Sequence, residues 1–345
     1  MSSALYPWQE SAWQQLQQLS ARLPHAILFY GPAGIGKAGF AAHFAQSLLC
    51  DTPSADGHAC GTCPSCGWFN QYGHPDYRRV RPEALEEELT ETEGGEETTE
   101  GKKATRAPSK EIKIDQIRAL ADFMNVSTHR AGKRVVLLYP AEALNSAAAN
   151  ALLKTLEEPP PDTVFLLVSH SLDRLLPTIL SRCRKFALNM PSAAEALAWL
   201  KQEQVADAET WLAEQGGAPL AALNLAQSDS REAADEFLRH LAKPSVESAL
   251  KVADRLQKEP VPELVGWLQR WQYDLFSHKL CGTIRYYPKY RKELTALAER
   301  VETNALLAAL KAANDRRAVA EHPLSAKLFI EDMLLDYSTL FADIR

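Results

Sequence analysis

Apolar positions along this chain follow two patterns. In the first half, short unbroken apolar runs alternate with helical periodicities. His25-Ala-Ile-Leu-Phe-Tyr30, Arg134-Val-Val-Leu-Leu-Tyr139 and Thr163-Val-Phe-Leu-Leu-Val168 are the runs, as expected of strands covered on both faces of a parallel sheet. Shorter strands are predicted near 77–80 and 183–188. Between them, Trp8, Ala12, Leu16 and Leu19 recur at helical spacing over 8–22, and Asp115 is placed to cap a helix carrying Ile117, Leu120 and Phe123 inward. Ala151, Leu152, Thr155 and Leu156 share one face of a helix that Pro159, Pro160 and Pro161 forbid from continuing, and another helix is expected from Leu172 to Leu180. Past Met190 the pattern becomes helical throughout: 194–204, 206–214, 221–227, then long amphipathic stretches such as Glu263–Leu280 with Trp267, Trp271 and Phe276, and a last one from Leu324 to Phe341.

These elements predict a three-layer α/β domain with a parallel sheet, followed by helical domains. A length of 345 residues with 46% hydrophobic residues suits two or three domains with real cores. No stretch approaches ~20 consecutive apolar residues, so no membrane span is expected. Met1 to Trp8 lacks a charged segment leading into an apolar one, so the expectation is a cytoplasmic chain without a signal peptide. Its six cysteines are then thiols or metal ligands rather than disulfides. The net charge of -6 argues against a protein that grips duplex DNA alone, because such affinity comes from lysines and arginines neutralising phosphates.

Candidate chemistry begins at Gly31-Pro-Ala-Gly-Ile-Gly-Lys37, between a strand and a helix. Gly31, Gly34 and Gly36 let backbone N–H groups cradle phosphate, and Lys37 with the helix N-terminus adds positive potential. The next residue is Ala38, where a phosphate-binding loop of this kind places the hydroxyl that ligates Mg²⁺. The loop is therefore open to two readings, a bound ATP or ADP or a vestigial role. Cys50, Cys60, Cys63 and Cys66 follow, with x9, x2 and x2 spacings. Four thiolates so clustered suit a tetrahedral structural Zn²⁺, with His58 and His74 as further candidate ligands nearby. Cys183 and Cys281 are isolated and read as small buried hydrophobes. Nine glutamates lie between Glu83 and Glu100, a self-repelling run read as a solvated insertion.

The segment Ala151-Leu-Leu-Lys-Thr-Leu-Glu-Glu-Pro-Pro160, a buried strand and then Ser181-Arg-Cys183 together resemble the AAA+ clamp-loader family of DNA replication. The resemblance implies an AAA+ P-loop domain over 1–188, with the zinc module at 50–66 and the acidic insertion at 82–109, then a helical lid at 189–243 and a helical collar at 244–345 for oligomerisation. It implies a hetero-oligomeric ring with gamma/tau and delta subunits, reaching a sliding clamp and primer-template DNA through the complex. It also implies that Arg182 serves as an arginine finger on a neighbour's ATP. The alternative from the residues alone is a cation at a helix C-terminus. The family's active members carry an Asp and a Glu at the end of the strand that here ends in Tyr139 and Pro140, with Glu142 two residues beyond. The lid arginine of the family is likewise replaced, by Pro219 and Leu220 after Gly216 and Gly217. These departures, with Ala38, lead to the expectation of a subunit without ATP hydrolysis of its own. The rivals are an ATP-hydrolysing gamma/tau-type subunit, which should keep those acids, and a zinc-dependent nucleic-acid-binding protein, which should show a basic stripe around its cysteines.

Overall fold

The structure, a computed structural model, describes residues 5–20, 22–86, 108–125, 128–129, 132–228, 231–321 and 325–341. It divides into two compact units, Met1–Pro191 and Ser192–Arg345. In the first, five strands, β1 (Ala26–Tyr30), β2 (Tyr77–Val80), β3 (Arg134–Leu138), β4 (Thr163–Ser169) and β5 (Arg184–Ala187), form one sheet in the order β2-β3-β4-β1-β5. Every pairing is parallel, with Leu28 opposite both Leu167 and Lys185, and Leu137 opposite Leu166.

Strand alternation sends consecutive side chains to opposite faces, and both faces here are apolar. Ile27, Phe29, Val135, Leu137, Leu166 and Val168 pack with Trp13 and Leu16 of α1 (Glu10–Ser20) and with Phe40 and Phe44 of α2 (Lys37–Leu49). Leu28, Val136, Leu138, Phe165 and Leu167 pack on the other side, against Ile117 and Leu120 of α4 (Ile114–Asn125), Leu152 and Leu156 of α5 (Ser146–Glu157), and Ile179 of α6 (Pro177–Arg182). The short helix α3 (Pro64–Asn70) lies between β1 and β2 in the chain.

Three local expectations are corrected. Asp115 is not the cap of α4, which begins one residue earlier; the Lys113 N–H is instead satisfied by the Gln116 side chain at 2.9 Å. The helix expected from Leu172 to Leu180 is split into a single turn at Leu172–Arg174 and α6, because Pro177 starts a new helix at its first position. Cys281 is exposed at the end of its helix, its thiol on the Ser277 carbonyl, whereas Cys183 is buried as expected.

The second unit is built of helices from Ala193–Gln202 to Ala326–Thr339. Its apolar core gathers Phe237, Leu241, Trp267, Trp271, Tyr287, Leu334 and Tyr337. Two buried polar devices register it. Trp271 donates to the Tyr337 hydroxyl at 2.7 Å, which donates to the Leu241 carbonyl at 2.8 Å. Asp274, fully buried, accepts from the backbone N–H groups of Arg285, Tyr286 and Tyr287, which supplies the partners a buried carboxylate requires.

Most of the glutamate-rich run lies outside the described residues, but its first four residues, 83–86, are helical. They are tied into the fold. Glu83 accepts from the Ser109 N–H and from Lys113, and Glu86 accepts from the buried Arg81 at 2.6 Å and faces Arg79 at 3.5 Å. Burial would raise the Glu86 carboxyl, but the Arg81 hydrogen bond and the two guanidinium charges outweigh it and hold it below the usual range. A group depressed in this way stabilises the fold above its ordinary value, and that contribution disappears as pH falls through the lower folded value. Glu86→Gln should therefore cost about 1 kcal/mol at neutral pH, the group being half-exposed. The cost should shrink as pH falls below about 4.5 and vanish only below the lower folded value, as checked by thermal melts of wild type and variant across pH 3–7.

Candidate functional site

The loop after β1 is closed by close approaches. A Cβ on Gly31 would meet the Leu188 carbonyl oxygen at 2.1 Å, so the first glycine is required where β5's continuation crosses the loop. Gly34 lies in the turn, and Gly36 sits at φ +85° as the N-cap of α2, with the Tyr6 ring 2.6 Å from where its Cβ would stand. Trp8 and Gln9 both donate to the Ile35 carbonyl at 3.0 Å, and Tyr6 stacks on Trp8 at 4.9 Å. The N-terminal segment thus straps the loop from one side. Lys37 is 2% exposed and donates its ammonium back to the Pro32 carbonyl. Burial lowers its pKa to about 8, against the pull of Glu142 in the opposite direction.

Glu142 and His170 lie beside this loop, close enough to act on the Lys37 charge, and sequence reasoning did not assemble them. Glu142 lies in a single turn, Ala141–Ala143, after β3. It turns back so that one carboxylate oxygen accepts the His170 N–H at 2.9 Å, just past the end of β4. Among the described residues, the other oxygen and His170 Nδ1 are buried without a hydrogen-bond partner. Burial and then the charge of Lys37 lower the His170 pKa, with Glu142 opposing, and Tyr139 packs edge-on against the imidazole at 5.9 Å. The signal was present, since in a parallel sheet residues following adjacent strands meet at one edge, but it needs the strand order before it can be used.

Cys50 ends α2, Cys63 caps α3 and Cys66 lies within it, with Cys60 in the intervening loop. Their sulfur atoms all lie within 4.8 Å of one another, with Cys50–Cys63 at 3.9 Å and Cys60–Cys66 at 4.0 Å. Four sulfurs at ~2.3 Å from one metal in a tetrahedron stand ~3.8 Å apart, so this set can hold a metal ion. Backbone N–H groups already aim at the sulfurs: Cys60 at Cys50, Cys63 at Cys60 and Cys66 at Cys63, at 3.2–3.4 Å. At Cys60, hydrogen bonds from Thr52, Thr62 and Cys63 favour thiolate and lower it to about 5, whereas burial raises Cys50 and Cys66. His58 and His74 are turned to other partners. His58 meets His43 at 2.9 Å and stacks on Trp13, while His74 meets Ser65 and the Asp76 N–H.

Arg182 is the last residue of α6, about a third exposed at its side chain. One Nη donates to the Thr178 carbonyl at 3.0 Å, as a helix-end cation does, and the other is paired with Glu157. Its place in the sheet is the informative fact. Arg184 is level with Ile27 of β1, and the phosphate-loop motif begins at Gly31 beyond the other end of that strand. Four residues of strand separate those levels by ~13 Å, and Arg182 precedes Arg184 by two more. Arg182 therefore stands at the amino-end edge of the sheet, and Lys37, Glu142 and His170 at the carboxyl-end edge.

The model for the family described as "DNA polymerase III, delta subunit" matches residues 8–192. The DNA polymerase III subunit delta' of Pseudomonas aeruginosa is 41% identical over 283 residues, 80% of this chain and 78% of that protein. Those of Haemophilus influenzae and Escherichia coli are each 32% identical, over 81% and 76% of this chain and 79% and 73% of theirs.

Glu142→Ala removes both the acceptor for the His170 N–H and the charge that raises Lys37. It should destabilise the chain by about 1 kcal/mol and move the Lys37 titration below its value of about 8, as read by NMR of labelled lysine; an unmoved Lys37 would contradict this geometry.

Proposed function

Because the chain belongs to the DNA polymerase III subunit delta' family, we propose that it is a clamp-loader subunit that hydrolyses no ATP itself. On this reading it sits in a hetero-oligomeric ring beside gamma/tau and delta subunits, helps to load the sliding clamp onto primed DNA, and supplies Arg182 to a neighbour's ATP. The first unit is then an AAA+ domain. The helical unit would divide in function into a lid at 189–243 and a collar at 244–345, with the helix Arg231–Ala242 contributing Phe237 and Leu241 to the core it shares with the later helices.

The observation that carries the reading is the position of Arg182. It stands at the sheet edge opposite the chain's own phosphate loop, beyond the other end of the strand that leads into that loop. A cation that cannot serve its own site is suited to a site on another subunit, where it would stabilise charge building on the transferred phosphoryl group. The chain's own loop supports the same view. Ala38 offers no hydroxyl to Mg²⁺, Tyr139 and Pro140 offer no carboxylate, and the Lys37 ammonium is spent on the Pro32 carbonyl.

In the cysteine module we read the metal as structural Zn²⁺ held by Cys50, Cys60, Cys63 and Cys66. All four positions are sulfur, which suits zinc and leaves no open coordination site for chemistry. Bound there, it would tie the end of α2 to the start of α3.

Three measurements test these statements. Metal analysis of protein purified without chelator should find one zinc per chain, and Cys63→Ser should release it and lower the melting temperature. The purified chain should hydrolyse ATP no faster than background; turnover abolished by Lys37→Ala would refute that. Arg182→Ala should leave the chain folded and assembled by gel filtration, while clamp- and DNA-stimulated ATP hydrolysis by the reconstituted complex falls substantially, an arginine finger being worth ~10³–10⁵ at the one site it serves. Other interfaces should sustain the remainder, and Arg182→Lys should rescue poorly because an ammonium lacks the planar fork.

A further inference from the structure

Glu157 and Arg182 lie 25 residues apart and meet at the amino-end edge of the sheet. Glu157 is the last residue of α5 and precedes β4; Arg182 is the last residue of α6 and precedes β5. Both helices are anchored close to these ends. Leu152 and Leu156 on one, and Ile179 with the following Cys183 on the other, belong to the same buried cluster under the sheet. Pro159, Pro160 and Pro161 stop α5, so Glu157 is held at the final turn. The adjacent Glu158 caps the helix through its N–H to the Lys154 carbonyl.

We propose that Glu157 is a positioning residue for Arg182, holding the guanidinium aimed at the neighbouring subunit's phosphate. The proposal rests on Arg182 acting in trans, and names the group that makes it effective. A guanidinium carries five N–H donors in a planar fork. The Thr178 carbonyl and, at 3.4 Å, the Ser181 hydroxyl accept from Nη1 and Glu157 accepts from Nη2, which leaves Nε–H and the second Nη2 proton for a phosphate. A long side chain free at a surface loses rotamer freedom when it engages a ligand; one held at two points has already lost it, and more of its contact appears in the transition state. The carboxylate cannot itself follow the guanidinium onto a phosphate, since the two anions repel. It acts from behind, as a fixed anchor. Because both groups are partly exposed, the pair adds little to stability, so its consequence is orientation.

The test is a set of four reconstituted complexes: wild type, Glu157→Ala, Arg182→Ala and the double variant, with Glu157→Gln as the conservative control. Assembly is verified by gel filtration and folding of the isolated chain by its melting temperature. The quantity compared is the part of stimulated ATP hydrolysis that Arg182→Ala abolishes. Glu157→Ala should reduce that part roughly threefold to tenfold in kcat, with KM for ATP little changed, because geometry at the transition state rather than ground-state binding is lost. Glu157→Gln should fall between, since its amide oxygen still accepts from Arg182. The double variant should be no slower than Arg182→Ala alone. A Glu157→Ala complex as fast as wild type or faster would overturn the proposal, and so would losses that simply multiply in the double variant. If Arg182→Ala itself matches wild type, the trans finger falls, and this proposal falls with it for a distinguishable reason.

Discussion

A parallel sheet buried on both faces has no room for unpaired polar side chains in the middle of its central strands. Ile27, Leu28, Phe29, Val136, Leu166 and Leu167 are all buried, and placing a charge among them would cost several kcal/mol unless it were fully paired. Chemistry is thereby pushed to the strand ends. Because every strand runs in the same direction, the ends form two separate edges. The carboxyl-end edge gathers Lys37, Glu142 and His170. The amino-end edge gathers Glu157 and Arg182. The length of the strands keeps the two groups apart.

The carboxyl-end edge shows how the glycine loop after β1 settles around Lys37. The glycines keep their positions because close approaches at Gly31 and Gly36 exclude any Cβ. Lys37 keeps its place, but burial makes its charge costly and the Pro32 carbonyl and Glu142 provide the compensation. The Lys37 ammonium is paired within the loop, and Trp8 and Gln9 hold the loop through the Ile35 carbonyl. The cysteine module lies at the far end of α2 from Lys37, so it bears on the orientation of the helix rather than on the phosphate loop directly. Its N–H···S contacts lie between residues close in sequence, which is why the module was recognisable from spacing alone.

The sequence by itself determined the strands and the cysteine cluster, and located the glycine loop and Arg182. Each is a local property. Unbroken apolar runs report burial on two faces, and x2 spacings bring thiolates together within one turn. Only the tertiary structure decided the pairings. Glu142 with the His170 N–H spans 28 residues, and Glu157 with Arg182 spans 25. Both depend on strand order β2-β3-β4-β1-β5, which no periodicity encodes. The same holds for Glu83 and Glu86, which composition assigns to a solvated run and which Lys113 and Arg81 draw into the fold. It holds for Cys281 too, whose apolar character does not reveal that its helix ends at the surface. Periodicity states how much of a residue is covered; which group covers it is set by the packing of elements distant in the chain.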